Sequence, residues 1–224
     1  MALDIDVKKK IRNSLDYECG GRLNATANTA VALDAPVLIV GLGGTGADAV
    51  IRVKKLISDR MKGDTKNIEY FVLDTDIQNE NISYGGVSFD RAMDEIFIFN
   101  EPYVQKMLHY PLPSYIDSWI NKDISQDKVI NGTEGVRQLG RLMLFKNIDK
   151  VLAALNNKIR RVTASHASNV PLNVFLVSGL GGGTGGGTFI DIPYIIKLTI
   201  PDSIFFSISN DMSAAILPIV IPII

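Results

Sequence analysis

The sequence predicts an α/β fold, a parallel sheet with helices on both faces, and three observations carry that prediction. Short apolar runs rich in β-branched residues occur at 37–40, 68–73 and 172–177, each long enough for a buried strand. Segments with apolar residues at helical spacing lie between them. Two of the runs pass directly into glycine-rich turns that open helix-like segments, which is the layout of βαβ units and places helices against a parallel sheet.

Residues 1–35 are polar and mixed, and read as an N-terminal extension with a helix and a loose connection before Pro36. The strand at 37–40 is bounded by Pro36 and Gly41. From 47 to 61, Ala47, Val50, Ile51, Leu56, Ile57 and Met61 recur near helical spacing, with Arg52, Lys54, Lys55, Asp59 and Arg60 on the other side and Gly63 as a stop. The strand at 68–73 closes on Asp74-Thr75-Asp76. Residues 77–130 are broken by Pro102, Pro111 and Pro113 and read as an insertion with short helices, in which Ile116, Trp119 and Ile120 form a core patch. From Thr133, the residues Val136, Leu139, Met143, Ile148, Val151, Leu152, Leu155 and Ile159 predict one long helix, with Arg137, Arg141, Lys146, Lys150, Lys158, Arg160 and Arg161 as its solvated surface. The strand at 172–177 follows, then a glycine run, a helix-like stretch, and a last strand at 203–208.

Composition excludes several functions. The chain has 224 residues, 46% of them hydrophobic, enough for a sizeable core. A net charge of −1 argues against a dedicated nucleic-acid binder. The single cysteine, Cys19, leaves no intrachain disulfide and no cysteine-rich zinc site, and two histidines, His109 and His166, give no basis for a metalloenzyme centre. The charged start, Met-Ala-Leu-Asp-Ile-Asp-Val-Lys-Lys-Lys, lacks the apolar core of a signal peptide, so the expected location is the cytoplasm. The apolar end, 214–224, is too short for a membrane span and interrupted by Pro218 and Pro222; it reads as an exposed strand or sticky end.

Seven of the ten residues at 179–188 are glycine. A backbone almost free of Cβ atoms can turn its N–H groups inward around an anion, and a helix that follows adds the positive end of its dipole. A flexible linker would have polar flanks instead of a buried strand and an amphipathic helix. The earlier turn, Gly41-Leu42-Gly43-Gly44-Thr45-Gly46, satisfies Gly-x-Gly-x-x-Gly after a strand, and Asp74 or Asp76 closes the next strand where a ribose-binding acid is expected. Alone, that turn signals a dinucleotide-binding or adenylate-using enzyme, but neither needs a second glycine-rich loop after another strand. Neither turn ends in the Gly-Lys-Ser/Thr of a Walker loop, so phosphate charge must be met by backbone dipoles, helix ends and a metal.

Together these motifs resemble the tubulin and FtsZ superfamily, whose nucleotide domain is a Rossmann-like α/β sheet. Gly181, Gly182, Gly183, Thr184, Gly185, Gly186 and Gly187 match its phosphate loop except at the sixth position, where Gly186 replaces Ser or Thr and removes a hydroxyl donor. Gly41 to Ala47 sits where the family has its first nucleotide loop. The segment Glu69-Tyr70-Phe71-Val72-Leu73-Asp74-Thr75-Asp76 is similar to the FtsZ strand ending in Asn-Thr-Asp, and Asn131-Gly132-Thr133-Glu134-Gly135 lies in order where a third phosphate-sensing loop precedes a helix. With Arg137 and Gln138-Leu139-Gly140-Arg141, the pattern looks most like the divergent bacterial tubulin-like proteins.

The resemblance implies a GTP- and GDP-binding domain over 36–200, with magnesium. The N–H groups of the two glycine loops would wrap the phosphates, together with Gly132 and Thr133. Thr184 would add a hydroxyl, and Asp76 would reach the metal through water. Asp74 stays open between a ligand-facing acid and a turn residue. The resemblance also implies head-to-tail self-association into a homopolymer in the complete protein. In that family the neighbouring subunit supplies an acidic loop that polarises the attacking water. No segment here can serve as the central helix, that loop or the second domain, so 201–224 reads as a truncated or atypical tail, with negligible hydrolysis by the chain alone. Two alternatives stay open: an NAD- or adenylate-using enzyme built on the Gly41 turn and Asp74, and a nucleotide-free structural assembly protein.

Overall fold

Three apolar runs become the centre of a five-stranded sheet. In the computed structural model, which describes residues 35–61, 65–99, 108, 110–124, 132–167, 170, 172–199 and 217–218, β1 is Val37–Leu42, β2 is Ile68–Asp74 and β6 is Asn173–Ser178. β5 (Ile96–Ile98) and β7 (Leu217–Pro218) flank them. The order is β5-β2-β1-β6-β7, and every pairing in it is parallel. β1 is therefore central and pairs with β2 on one side and β6 on the other. That reversal of direction in strand order is the point at which open α/β sheets form a crevice.

Alternation along the strands sends side chains to two cores. Leu38, Val40, Leu42, Phe71, Leu73, Val174 and Leu176 face one layer, built from α3 (Arg137–Lys146), α4 (Ile148–Thr163) and α6 (Asp191–Thr199). Ile39, Tyr70 and Val72 face the other, where Ala47, Val50 and Ile51 of α1 (Gly43–Met61) cover them. Period-2 alternation in a parallel sheet with both faces buried accounts for the apolar runs. Ile116 and Ile120 join the first core and Trp119 packs on it, as expected; Ile116 lies in the one-turn helix α2 (Ser114–Asp117).

The structure differs from the sequence reading in several places, among them Lys158, which is buried against Glu69 at 2.9 Å instead of solvated. α1 begins at Gly43, so Gly44, Thr45 and Gly46 belong to its first turn instead of to a loop. Likewise, Gly183–Thr188 is a helical turn, α5. The long helix is two: its first residues, Gly132 to Val136, are a loop with positive φ at Gly132, Glu134 and Gly135, and α3 ends at Asn147, whose side-chain amide donates to Met143 O at 3.0 Å. That side-chain bond offers the backbone an alternative to helix continuation. Within 77–130, a 3-10 helix (Ile77–Asn81) and a hairpin of β3 (Ser83–Tyr84) with β4 (Val87–Ser88) precede β5, which extends the main sheet. The expected N-terminal helix, the Gly63 stop and the strand at 203–208 lie outside the described residues. Leu217–Pro218 pairs with Phe175 and Leu176 at the sheet edge, a place that tolerates proline. Among the described residues, no helix is long and apolar enough to cross a membrane.

Candidate functional site

The carboxyl ends of β1, β2 and β6 open on a cleft of about 440 Å³ at the switch point, within the usual range for small-ligand sites. It is lined by Leu42, Gly43, Gly44 and Thr45 after β1; by Asp74, Thr75, Asp76, Gln78 and Asn79 after β2; by Thr133 and Glu134; and by Gly179 and Gly182 to Gly185 after β6. The two glycine turns touch each other. Gly43 has φ +70°, which turns the chain from β1 into α1 and which other residues adopt only with strain, and a Cβ there would stand 3.0 Å from Gly185 N.

Asp74 is 1% exposed, and its carboxylate is occupied. Oδ1 accepts from Thr75 N at 2.7 Å and from Asp76 N at 3.2 Å, and Oδ2 accepts from Asn79 Nδ2 at 2.6 Å. Burial pushes this carboxyl above the ordinary carboxylate range, and the bonds from Asp76 N–H, Asn79, Thr75 N–H and the Thr184 hydroxyl act in the opposite direction. Asp74 therefore holds the turn closed from inside, the second of the two roles left open for it. Asp76 is only half-buried; its Oδ1 caps the 3-10 helix through Gln78 N at 2.9 Å, and Oδ2 has no protein partner among the described residues.

Three hydroxyls meet behind the glycine turn. Thr75 Oγ1 lies 2.6 Å and Thr133 Oγ1 3.3 Å from Thr184 Oγ1, and all three residues are buried. Gly132, with φ +98°, lets its loop lie against Thr75 and Asp76; a Cβ would stand 3.1 Å from Thr75 Oγ1.

A family model for tubulin-like proteins matches residues 38–219, from β1 to just past β7. The chain belongs to the tubulin-like family. Solved structures to which it is similar include CetZ2 from Haloferax volcanii in a GTPγS-bound protofilament, at 18% identity over 73% of this chain and 35% of that one, with TM-score 0.41. An empty FtsZ dimer from M. jannaschii matches at 20% identity over 81% of this chain and 37% of that one, TM-score 0.41. The GDP-bound monomer of CetZ1 from Haloferax volcanii matches at 19% over 68% and 34%, TM-score 0.41. This tubulin-like chain thus spans about a third of the length of each. No curated protein matches it.

The cleft gathers most of the residues that the motifs single out, and it separates the rest. Leu42, Gly43, Gly44, Thr45, Asp74, Asp76, Thr133, Gly182, Gly183, Thr184 and Gly185 line it, whereas Gly41, Gly46 and Gly132 lie behind its wall. Gly181 is exposed at the corner before α5 and outside the lining. Gly186 and Gly187 turn away, toward a second cleft of about 480 Å³ with Trp119, Arg137 and Arg141. The missing hydroxyl at Gly186 is explained there: a Cβ would stand 2.7 Å from Leu180 O and 3.2 Å from Arg137 Nε, so a serine would not fit without a shift. Thr75, Glu134 and Gly179, which stand in the motifs without an assigned ligand role, also line the cleft, and Gln78 and Asn79 line it without having been singled out. The Asp76-x-Gln78 spacing of an Asx turn was the available signal for Gln78.

Proposed function

We propose that this tubulin-like chain binds GTP and GDP with Mg²⁺ in the cleft and that the complete protein assembles head to tail. The observation that carries this is the convergence of two glycine turns and the 132–135 loop on one crevice that, among the described residues, no lysine or arginine lines. A phosphate chain held there meets the backbone N–H groups of the glycine turns and the N-terminus of the 19-residue helix α1. Those fixed dipoles carry partial charge only, while Asp74, Asp76 and Glu134 are acidic. A divalent cation fits that donor set. Among the described residues no group of three His, Cys, Asp or Glu forms a cation cage, which suits magnesium held by one carboxylate, water and substrate phosphates. Asp76, whose Oδ2 has no partner among the described residues, is the residue to hold it through water; bound there, the ion would neutralise phosphate charge.

The occupied, buried Asp74 speaks against the dinucleotide alternative, in which that acid must be free to accept from ribose hydroxyls. Calorimetric titration of the chain with GTP, ATP and NAD, with and without magnesium, tests the reading. GTP is expected to bind in a magnesium-dependent way and NAD not at all. Tight NAD binding without GTP binding would overturn it.

A further inference from the structure

Thr184 lines the cleft, and its hydroxyl also meets two protein hydroxyls. Its oxygen has two lone pairs and one proton. Thr75 and Thr133 stand within hydrogen-bond distance of it at 2.6 and 3.3 Å, and the Asp74 carboxylate is a third, weaker neighbour. Within each hydroxyl pair either oxygen can be the donor. These residues come from three separate chain segments: Asp74 and Thr75 from the end of β2, Thr133 from the loop before α3, and Thr184 from the first turn of α5.

Among the described residues, the Thr133 hydroxyl makes the hydrogen bond of the 132–135 loop to another element, and Gly132 lies against Thr75 and Asp76. Gly132, Glu134 and Gly135 all have positive φ, at 98°, 41° and 85°. Glu134 and Gly135 are exposed, whereas Thr133 is 4% exposed. Thr133 O accepts from Val136 N at 2.8 Å, which closes the loop on itself, and its hydroxyl is the side-chain group that reaches across to α5.

We infer that Thr184 is a hub that clips the 132–135 loop onto the cleft, with Thr75 and Thr133 as positioning residues. The ligand then meets backbone N–H groups and the loop held in place by the hub. This rests on the nucleotide reading only for its effect on binding; the clip itself is a property of the chain.

Thr133→Val keeps the shape and removes the hydroxyl, and Thr133→Ser restores it. Amide hydrogen exchange of Val136, whose N–H donates to Thr133 O, reads the clip directly in the unliganded chain. Exchange is expected to rise about fivefold to tenfold in the Val variant, the equivalent of one modest hydrogen bond, and to return toward wild type in the Ser variant. Calorimetry with Mg-GTP should show a similar loss of affinity in the Val variant and rescue by Ser. Unchanged exchange in the Val variant would overturn the clip. Raised exchange in a chain whose wild type binds no Mg-GTP would uphold the clip and reject the nucleotide reading. Raised exchange with undiminished Mg-GTP affinity would reject the positioning role. Thr75→Val serves as the second variant: it should lower Mg-GTP affinity with a smaller change in exchange at Val136, because it reaches the hub from the β2 side.

Discussion

The two glycine-rich turns look alike in the sequence and are glycine-rich for different reasons. In the first, Gly41 and Gly46 are pressed together between α1 and the sheet; a Cβ on Gly46 would stand 2.7 Å from Val177 O. Helix and strand backbones approach so closely there that no side chain fits between them. The second turn divides within itself. A Cβ on Gly185 would stand 2.6 Å from Ser178 Oγ, 2.7 Å from Gly179 O and 2.9 Å from Leu42 O, whereas one on Gly181 would meet nothing within 4 Å. Glycine content therefore measures close backbone packing as much as room for a ligand.

The largest effect belongs to the packed positions. Gly185→Val places branched carbon atoms against three backbone and side-chain oxygens that cannot easily withdraw, and should destabilise the chain by about 3 kcal/mol. A urea midpoint that does not move in that variant would show the second turn to be as open throughout as it is at Gly181.

Between the two glycine turns, the β2 turn is held by a buried carboxylate, and its signature is a pH dependence. Because the folded state raises the Asp74 pKa through burial, the ionised form is the less favoured one inside. The stability linked to this group is fully present below its unfolded value, about 3.9, and is lost as pH rises through the raised folded value. Asp74→Asn sets two amide donors, its own and that of Asn79, against each other and lowers stability at every pH. It should nevertheless lose the slope that the wild type shows between those two values. Denaturation curves across acid pH check this, and parallel profiles for the two proteins would remove the charge from the account.

The smallest effect has the opposite sign. Gly181→Ala adds a methyl group in open space at a residue whose φ is not positive, so it should stabilise the chain by about 0.5 kcal/mol by restricting the unfolded state. A clear loss of stability there would erase the distinction between the outer corner and the packed helix.

Much of the fold was legible because burial on both faces imposes a local signature. The central strands β1, β2 and β6 are apolar runs, and α1 buries the first part of its apolar stripe, Ala47, Val50 and Ile51, while Leu56 lies exposed. β5 was not legible: three residues, Ile96 to Ile98, become a strand only by pairing with Val72, Leu73 and Asp74, and no local pattern encodes a partner more than twenty residues away. The break at Asn147 was hidden because apolar spacing continues through Met143, Ile148 and Val151 on both sides of it. In the cleft, the flanking acids drew attention away from Thr75, the residue that reaches Thr184. The run at 181–187 could not be divided by reading alone, since a glycine has no side chain to show which way it faces.

The backbone amides of the glycine turns in the cleft wall have their own consequence for experiment. Amide dipoles have no proton to lose near neutrality and no side chain to trim. An alanine scan of such a wall is nearly blind to it, and a pH titration cannot switch it off. Only changes that add bulk or remove an N–H, such as valine or proline in the turns, report on what the wall does.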